Sequence, residues 1–393
     1  MDFMDLTIQV LFGLGSVVIA EFVRDCYHIA GHYWQPLQIP HGLHHKAYRP
    51  DLTVTSEALY RRAQLVNDVP EALVMAVVTG LVALLSQQSG LWFGSVYSLG
   101  FAATGFARSQ GLLRWTDLTH EPGDLTTIPS VWKVNRTYHW RHHFDQGNAY
   151  YSGYFTAVDK MLGTALSLKG KVVAVTGASG ALGQALLTEL KQQGAKVIAL
   201  TTSPEFQPEG LLDVVQWQPG QEAELRDRLK KVHILILNHG VNVYGDRTPE
   251  AIERSLEVNA LSAWKLAEVF LSTVERSSDR ALKELWVNTS EAEVSPALSP
   301  LYEISKRLIG DLISLRRLDA PCVIRKIVLG PFKSKLNPFG VMAPGWVAWA
   351  VVALAKRDIR NIIVTVNPLT YVLFPLKELG RSLYFRLFSK KTV

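Results

Sequence analysis

Nine of the eleven histidines in this 393-residue chain fall between residues 28 and 143, in clusters flanked by long apolar runs. His28 and His32 stand four apart. His41, His44 and His45 follow, then His139, His142 and His143, with His120 alone before the last group. Residues three and four apart share a helix face, so each cluster projects its imidazoles together. A metal ion takes about four to six donors, so eight or nine neutral nitrogens suit two ions better than one. Imidazole serves zinc, copper, iron and nickel, and ligand type alone leaves the metal open. Structural zinc saturates with four ligands, usually some of them Cys, but the two cysteines, Cys26 and Cys322, lie far apart in sequence.

The apolar runs predict a membrane domain. Leu6 to Val23 follows Asp2 and Asp5 rather than a basic stretch, and no small-residue cleavage site comes after it, so it reads as a retained helix rather than a signal peptide. Runs near 69–86 and 91–107 approach bilayer-crossing length, joined by a turn at Gln87, Gln88, Ser89 and Gly90. Such a hairpin returns all three His clusters to one membrane face. Arg24, Lys46, Arg49, Arg61, Arg62, Arg108 and Arg114 fall on that face, which predicts that it is cytoplasmic.

Asp25-x-x-His28-x-x-x-His32, His41-Gly-Leu-His44-His45 and His139-Trp-Arg-His142-His143 resemble the eight-histidine signature of the fatty acid hydroxylase/sterol desaturase superfamily of membrane di-iron oxygenases. The likeness continues through Asn148, Tyr150, Phe155, Asp159 and Gly163-Thr164, and His120 sits where many members carry an additional ligand. It covers roughly residues 15–166. It implies two iron ions held by the nine histidines, with dioxygen and an electron donor used to hydroxylate or desaturate a hydrophobic, lipid-like substrate.

From about Leu166 the pattern changes to alternating strand and helix, which predicts a doubly wound parallel sheet. Strands read at 171–175, 196–200, 213–217, 233–237, 285–289, 322–328 and 362–366. The first runs into Thr176-Gly177-Ala178-Ser179-Gly180-Ala181-Leu182-Gly183. A glycine-rich turn between strand and helix lets backbone approach a pyrophosphate at the positive helix end. The phenol of Tyr302 and the ammonium of Lys306, four apart on one helix face, predict a lowered phenol pKa and proton exchange near neutral pH. Ser290, at a strand end, is placed to hold a substrate oxygen.

These residues look like the short-chain dehydrogenase/reductase family. The resemblance assigns catalytic roles to Asn259, Ser290, Tyr302 and Lys306. It assigns cofactor contacts to Thr176, Gly177, Ser179, Gly180, Leu182, Gly183, Thr201, Asn238, Gly240, Tyr302, Lys306, Gly330 and Pro331. Departures are His239 in place of a usual Ala, Trp217 where an acidic residue often meets adenine, and Thr201-Thr202-Ser203, which offers no carboxylate to a ribose 2'-hydroxyl. The last tilts the cofactor from NAD(H) towards NADP(H). His233 and His239 read as strand-end residues rather than ligands.

Charge divides the same way. Residues 1–168 hold 11 Lys and Arg against 13 Asp and Glu, and residues 169–393 hold 30 against 22. Basic residues Lys377, Arg381, Arg386, Lys390 and Lys391 alternate with apolar ones near the C-terminus. This segment suits either an anionic membrane surface or packing on the preceding domain. No nucleic-acid recognition motif accompanies the excess.

The expected architecture is an α-helical membrane domain (1–166) with a His-box metal site, followed by an α/β doubly wound Rossmann domain (167–393). The expected activity is a bifunctional membrane lipid oxidoreductase: di-iron hydroxylation or desaturation joined to NADP(H)-dependent alcohol or carbonyl chemistry, with both catalytic parts on the cytoplasmic face. Two alternatives stand beside it. One is a fatty aldehyde-converting enzyme of the wax or alkane type. The other is a non-catalytic membrane assembly subunit with a structural metal site. Free thiols are expected.

Overall fold

The computed structural model describes residues 3–390; Asp2 and Lys391, used in the charge argument above, lie outside the described residues. The chain divides into two compact units, 1–165 and 166–393.

The first unit is helical. Its first helix, Phe3–Tyr33, has 31 residues and is about 46 Å long at 1.5 Å per residue. That length exceeds the roughly 30 Å apolar core of a bilayer, so Asp25, His28 and His32 fall in its last turns. A second long helix, Glu57–Ser86, completes the pair that are long and apolar enough, among the described residues, to cross a membrane. The expected third run is a helix, Trp92–Ser109, but Ser95, Ser98, Thr104 and Arg108 make it more polar. It folds back on the second after a turn where Gln87 takes a left-handed conformation.

Small residues let these three helices approach closely, and polar contacts tie them together. The Thr79 and Ser95 hydroxyls lie 3.1 Å apart, Tyr97 donates to Glu21 at 2.6 Å, and Arg24 pairs with Glu71 at 3.0 Å. The helix 57–86 is interrupted by a π-helical turn, Gln64–Asp68. Such single-turn insertions commonly mark functional positions. The other two His clusters ride on shorter helices, Gln35–Lys46 and Arg136–Phe144.

The second unit is a seven-stranded sheet in the order β3-β2-β1-β4-β5-β6-β7, with every pairing parallel. The strands are β1 Val172–Thr176, β2 Lys196–Thr201, β3 Asp213–Gln216, β4 Ile234–Leu237, β5 Glu284–Ser290, β6 Val323–Leu329 and β7 Asn361–Val364. Each lies within two residues of its expected place. Their near-continuous apolar runs follow from burial on both faces. The order reverses between β1 and β4, which opens a crevice at the carboxyl ends of those strands.

β6 breaks the apolar rule, because Arg325 and Lys326 are both fully buried. Arg325 forms a two-pronged pair with Glu284 at 2.8 and 2.9 Å and reaches Asp358 at 2.9 Å. Lys326 meets Glu293 at 3.0 Å and Glu378 at 2.9 Å. The second pairing fastens the last helix, Thr370–Phe388, to the sheet. Thr370, Phe374 and Glu378 of that helix are buried, and Lys377 and Arg381 pair with Asp311. The basic segment therefore packs on its own domain along one face. Val372, Leu376, Leu379, Leu383 and Leu387, on the opposite face, are exposed.

Candidate functional site

In the first unit the nine histidines sort into two groups whose ligating nitrogens all lie within 4.8 Å of one another: His28, His32, His41, His45 and His142, and His44, His120, His139 and His143. The groups cut across the sequence clusters. In the first, Nε2 of His142 lies 2.8 Å from that of His28 and 3.2 Å from that of His32, and His41 bridges His32 and His45 at 2.8 and 2.9 Å. In the second, Nε2 of His120 is 2.9 Å from His139 and 3.2 Å from His143. Donors about 2.1 Å from one ion and at right angles to each other are separated by about 3 Å.

The outer nitrogens fix which way the lone pairs face. Nδ1 of His142 donates to the Ala149 carbonyl at 2.8 Å and Nδ1 of His120 to Asp117 at 2.7 Å, which leaves Nε2 of each as an acceptor pointing inward. This arrangement is the one that orients metal-bound imidazoles. Asp117 is itself held by the Tyr48 hydroxyl at 2.8 Å. Burial and neighbouring imidazoles push His41 down to about 2 and His45 to about 3. His139, His142 and His143 fall well below the ordinary value for the same reasons. Burial thus favours the neutral form of each, which carries the lone pair a metal would need. His44 goes the other way: burial opposes its charge, but the Asp68 carboxylate beside it prevails. The donor set therefore fits two metal ions.

Asp159 explains the sequence signature that follows the last cluster. Its carboxylate accepts from the backbone N–H of Tyr151 and Ser152 at 2.8 Å and from the hydroxyls of Tyr138 at 2.8 Å and Thr164 at 2.6 Å. This locks the segment that presents Ala149 to His142.

In the second unit a cleft of about 530 Å³ is lined by Gly177, Ser179, Gly180, Leu182, Asn238 and Gly240 of the expected cofactor residues. Gly177 has φ +60°, and a Cβ on Gly183 would fall 2.2 Å from the Gly177 carbonyl. Both glycines are needed for helix and turn to pack this tightly. Thr176, Gly183, Thr201, Tyr302, Lys306, Gly330 and Pro331, also expected there, do not line the cleft, though Thr176 and Thr201 support it. The Thr176 hydroxyl accepts from the Asn238 N–H at 2.8 Å, and Thr201 donates to Ser179 at 3.1 Å. Thr202, Trp217, His239 and Lys335 line it without having been assigned there. The His239 and Trp217 rings meet edge-on at 5.2 Å, and His239 is pushed down to about 3 by burial and by Lys306. The residues around the glycine turn fit a dinucleotide.

Asn259 lies in a π-helical turn, Glu257–Leu261. Its amide accepts from the Val241 N–H at 2.7 Å and donates to the Val241 carbonyl at 2.9 Å, so it shapes the loop after β4. Lys306 donates to the Asn288 carbonyl at 3.3 Å, and Asn288 donates to Asn238 at 2.8 Å, which links the helix 300–316 to the cleft. Ser290, at the end of β5, accepts from the Ala292 N–H at 3.2 Å, and its hydroxyl acts on the Tyr302 phenol. The expected lowering of that phenol is not what the structure shows. Burial raises it, and Ser290 offsets only part of the rise, while Nζ of Lys306 stands 5.8 Å from the ring centroid. Burial also brings Lys306 down to about 8.

Residues 13–164 match the fatty acid hydroxylase family and residues 173–296 the NAD dependent epimerase/dehydratase family. Among solved structures, a short-chain dehydrogenase from Burkholderia cenocepacia in complex with NADP is 21% identical, covering 57% of this chain and all of that one at a TM-score of 0.45. One from Leptospira borgpetersenii with bound NAD+ is 22% identical, covering 51% and 92% at 0.43. The monoglucosyldiacylglycerol epimerase of Synechocystis sp. is 54% identical over 97% of this chain and 99% of its own length. The chain belongs to the family of that epimerase, a fusion of a fatty acid hydroxylase segment with an NAD-dependent epimerase/dehydratase segment.

Proposed function

We propose that this protein inverts one carbinol centre in the sugar headgroup of a monoglucosyldiacylglycerol, by oxidation to a ketone and re-reduction with no net redox change. The carrying observation is a chain akin over 97% of its length to an epimerase of that lipid, in which Tyr302 and Lys306 share one helix and Lys306 is tied through Asn288 to Asn238 of the dinucleotide cleft. NADP(H), or NAD(H), held by the glycine turn and by Asn238 and Gly240, supplies the hydride acceptor and donor when bound. Tyr302 takes the proton of the reacting hydroxyl and later returns it. Ser290 donates to the substrate oxygen, and the Lys306 ammonium favours the phenolate that burial alone disfavours. Inversion requires that the two faces of the ketone be presented in turn, so the headgroup must be held loosely enough to rotate.

A second reading belongs to the first unit, on the strength of its convergent imidazoles. His28, His32, His41, His45 and His142 would hold one iron ion and His44, His120, His139 and His143 a second, which when bound would supply dioxygen chemistry, with an electron donor, for a C–H bond of a membrane lipid. Both readings place the protein in the membrane with its catalytic parts on the cytoplasmic side, and the exposed leucine stripe of the last helix lies on the lipid surface. The test is the hexose released by hydrolysis after full-length protein is incubated with monoglucosyldiacylglycerol and NADP+. A second hexose, absent with Tyr302→Phe, supports epimerisation; glucose alone in every sample refutes it.

A further inference from the structure

The first unit contains a cavity of about 330 Å³ against the histidines, reached by His28, His41, His44, His120 and His139. A site built for an acyl chain has apolar walls, since burying hydrocarbon against charged groups strips them of water without repayment. The walls here are not of that kind. Arg24, Arg108 and Lys133 line it together with Asp68, Glu71 and Asp117, three cations with three carboxylates, and Arg108 lies 3.9 Å from Asp68. Asp68 and Asp117 serve partly to hold His44 and His120. Arg24 and Glu71 touch no histidine in the structure. They form their own pair at 3.0 Å, with side chains 26% and 15% exposed. Lys133 has no carboxylate within ion-pair distance among the described residues and stands 4.9 Å over the Tyr154 ring. Asn67 adds an amide, and Phe101 and Tyr154 add rings that carry Arg24 at 5.2 Å and Lys133 at 4.9 Å.

We infer that this cavity receives an uncharged, hydroxyl-rich headgroup rather than an acyl chain. Hydroxyls both donate and accept, so they pair with carboxylates and with cations alike. The balance of charge disfavours a phosphate, which would be repelled by the three carboxylates. The inference deepens the proposed function, on which it rests for the identity of the headgroup. It makes the glycolipid's sugar, not its tails, the part that this unit presents to the metal ligands.

The test uses full-length protein in phosphatidylcholine nanodiscs and two photoreactive octyl β-glucosides, one with a diazirine on the sugar and one with it at the chain end. Labelled peptides are mapped by mass spectrometry. The expected result is that the sugar probe labels Met75, Phe101, Leu118 or Tyr154 and that unlabelled octyl β-glucoside competes while octanoate does not. Lys133→Met should lower this labelling about tenfold, the effect of one charge-assisted hydrogen bond, with metal content unchanged. Labelling of the cavity by the chain-end probe, or labelling by the sugar probe confined to the second unit, overturns the inference. Epimerisation is scored separately on the same preparations. Cavity labelling without a new hexose refutes the epimerase reading alone, and a new hexose without cavity labelling refutes only the inference.

Discussion

The two units bury polar groups in opposite ways. In the second, each deeply buried charge on β6 meets a carboxylate of the same unit: Arg325 meets Glu284 and Asp358, and Lys326 meets Glu293 and Glu378. In the first, neutral imidazoles turn their lone pairs towards one another, and the outer nitrogens of His139 and His143 have no hydrogen-bond partner. Lone pairs at 3 Å repel unless a cation or proton lies between them. The buried charges of β6 are thus matched by the fold itself, whereas the converging imidazoles of the first unit suit a cation or proton placed between them. Both units nevertheless place a π-helical turn beside the chemistry, at Gln64–Asp68 and Glu257–Leu261. The extra residue re-aims Asn67 and Asp68 in one and Asn259 in the other.

This contrast can be broken at several points. Tyr302→Phe should reduce epimerisation by about 10²- to 10⁴-fold, the usual worth of a positioned acid/base, while dinucleotide affinity and metal content hold. Loss of metal in that variant would show that the sites are not independent. Lys326→Ala leaves Glu293 and Glu378 buried without their shared cation and should cost about 3–5 kcal/mol in denaturant unfolding of the second unit. An effect under 1 kcal/mol would mean that water replaces the ammonium.

Lys306→Met should abolish turnover yet stabilise the cofactor-free protein. Burial lowers the Lys306 pKa from 10.5 to about 8, so between those values the unfolded chain binds a proton that the folded chain has released. Stability therefore rises with pH across that window, and at neutral pH the buried ammonium costs about 3 kcal/mol. Thermal melts of wild type from pH 7 to 10 should show the rise, and the Met variant should flatten it. The smallest effect is expected from Asp117→Asn. It weakens the partner of His120 and should lower metal affinity of the four-histidine group about 10- to 100-fold, leaving the five-histidine group loaded, as read by metal analysis under graded chelation.

Much of this was legible in sequence because it rests on short spacings. The strand runs, the glycine turn and the three His clusters each declare themselves within a dozen residues. The division of the histidines departs from the expectation that each cluster projects its imidazoles together, and helix phase is the reason. At about 100° per residue, His41 and His45 point about 40° apart while His44 turns away, and the structure puts His44 with the other group; His139, His143 and His142 repeat the pattern. What was not legible depends on contacts between distant segments. Asp68 and Asp117 carry no motif and gain meaning only where folding sets them behind His44 and His120. Nor does a strand reading anticipate Arg325 and Lys326 fully buried in β6, since their partners come from residues 284, 293, 358 and 378. The phenol of Tyr302 shows the limit of spacing: four residues on a helix bring Lys306 near, but burial decides the direction of the shift.

The most direct test is the intact mass and headgroup of the lipid formed when full-length, metal-loaded protein meets monoglucosyldiacylglycerol and NADP+. The account predicts a product of unchanged mass with a different hexose and the same acyl chains. A product that gains an oxygen atom or loses two hydrogens in its acyl chains, with glucose retained, would contradict it.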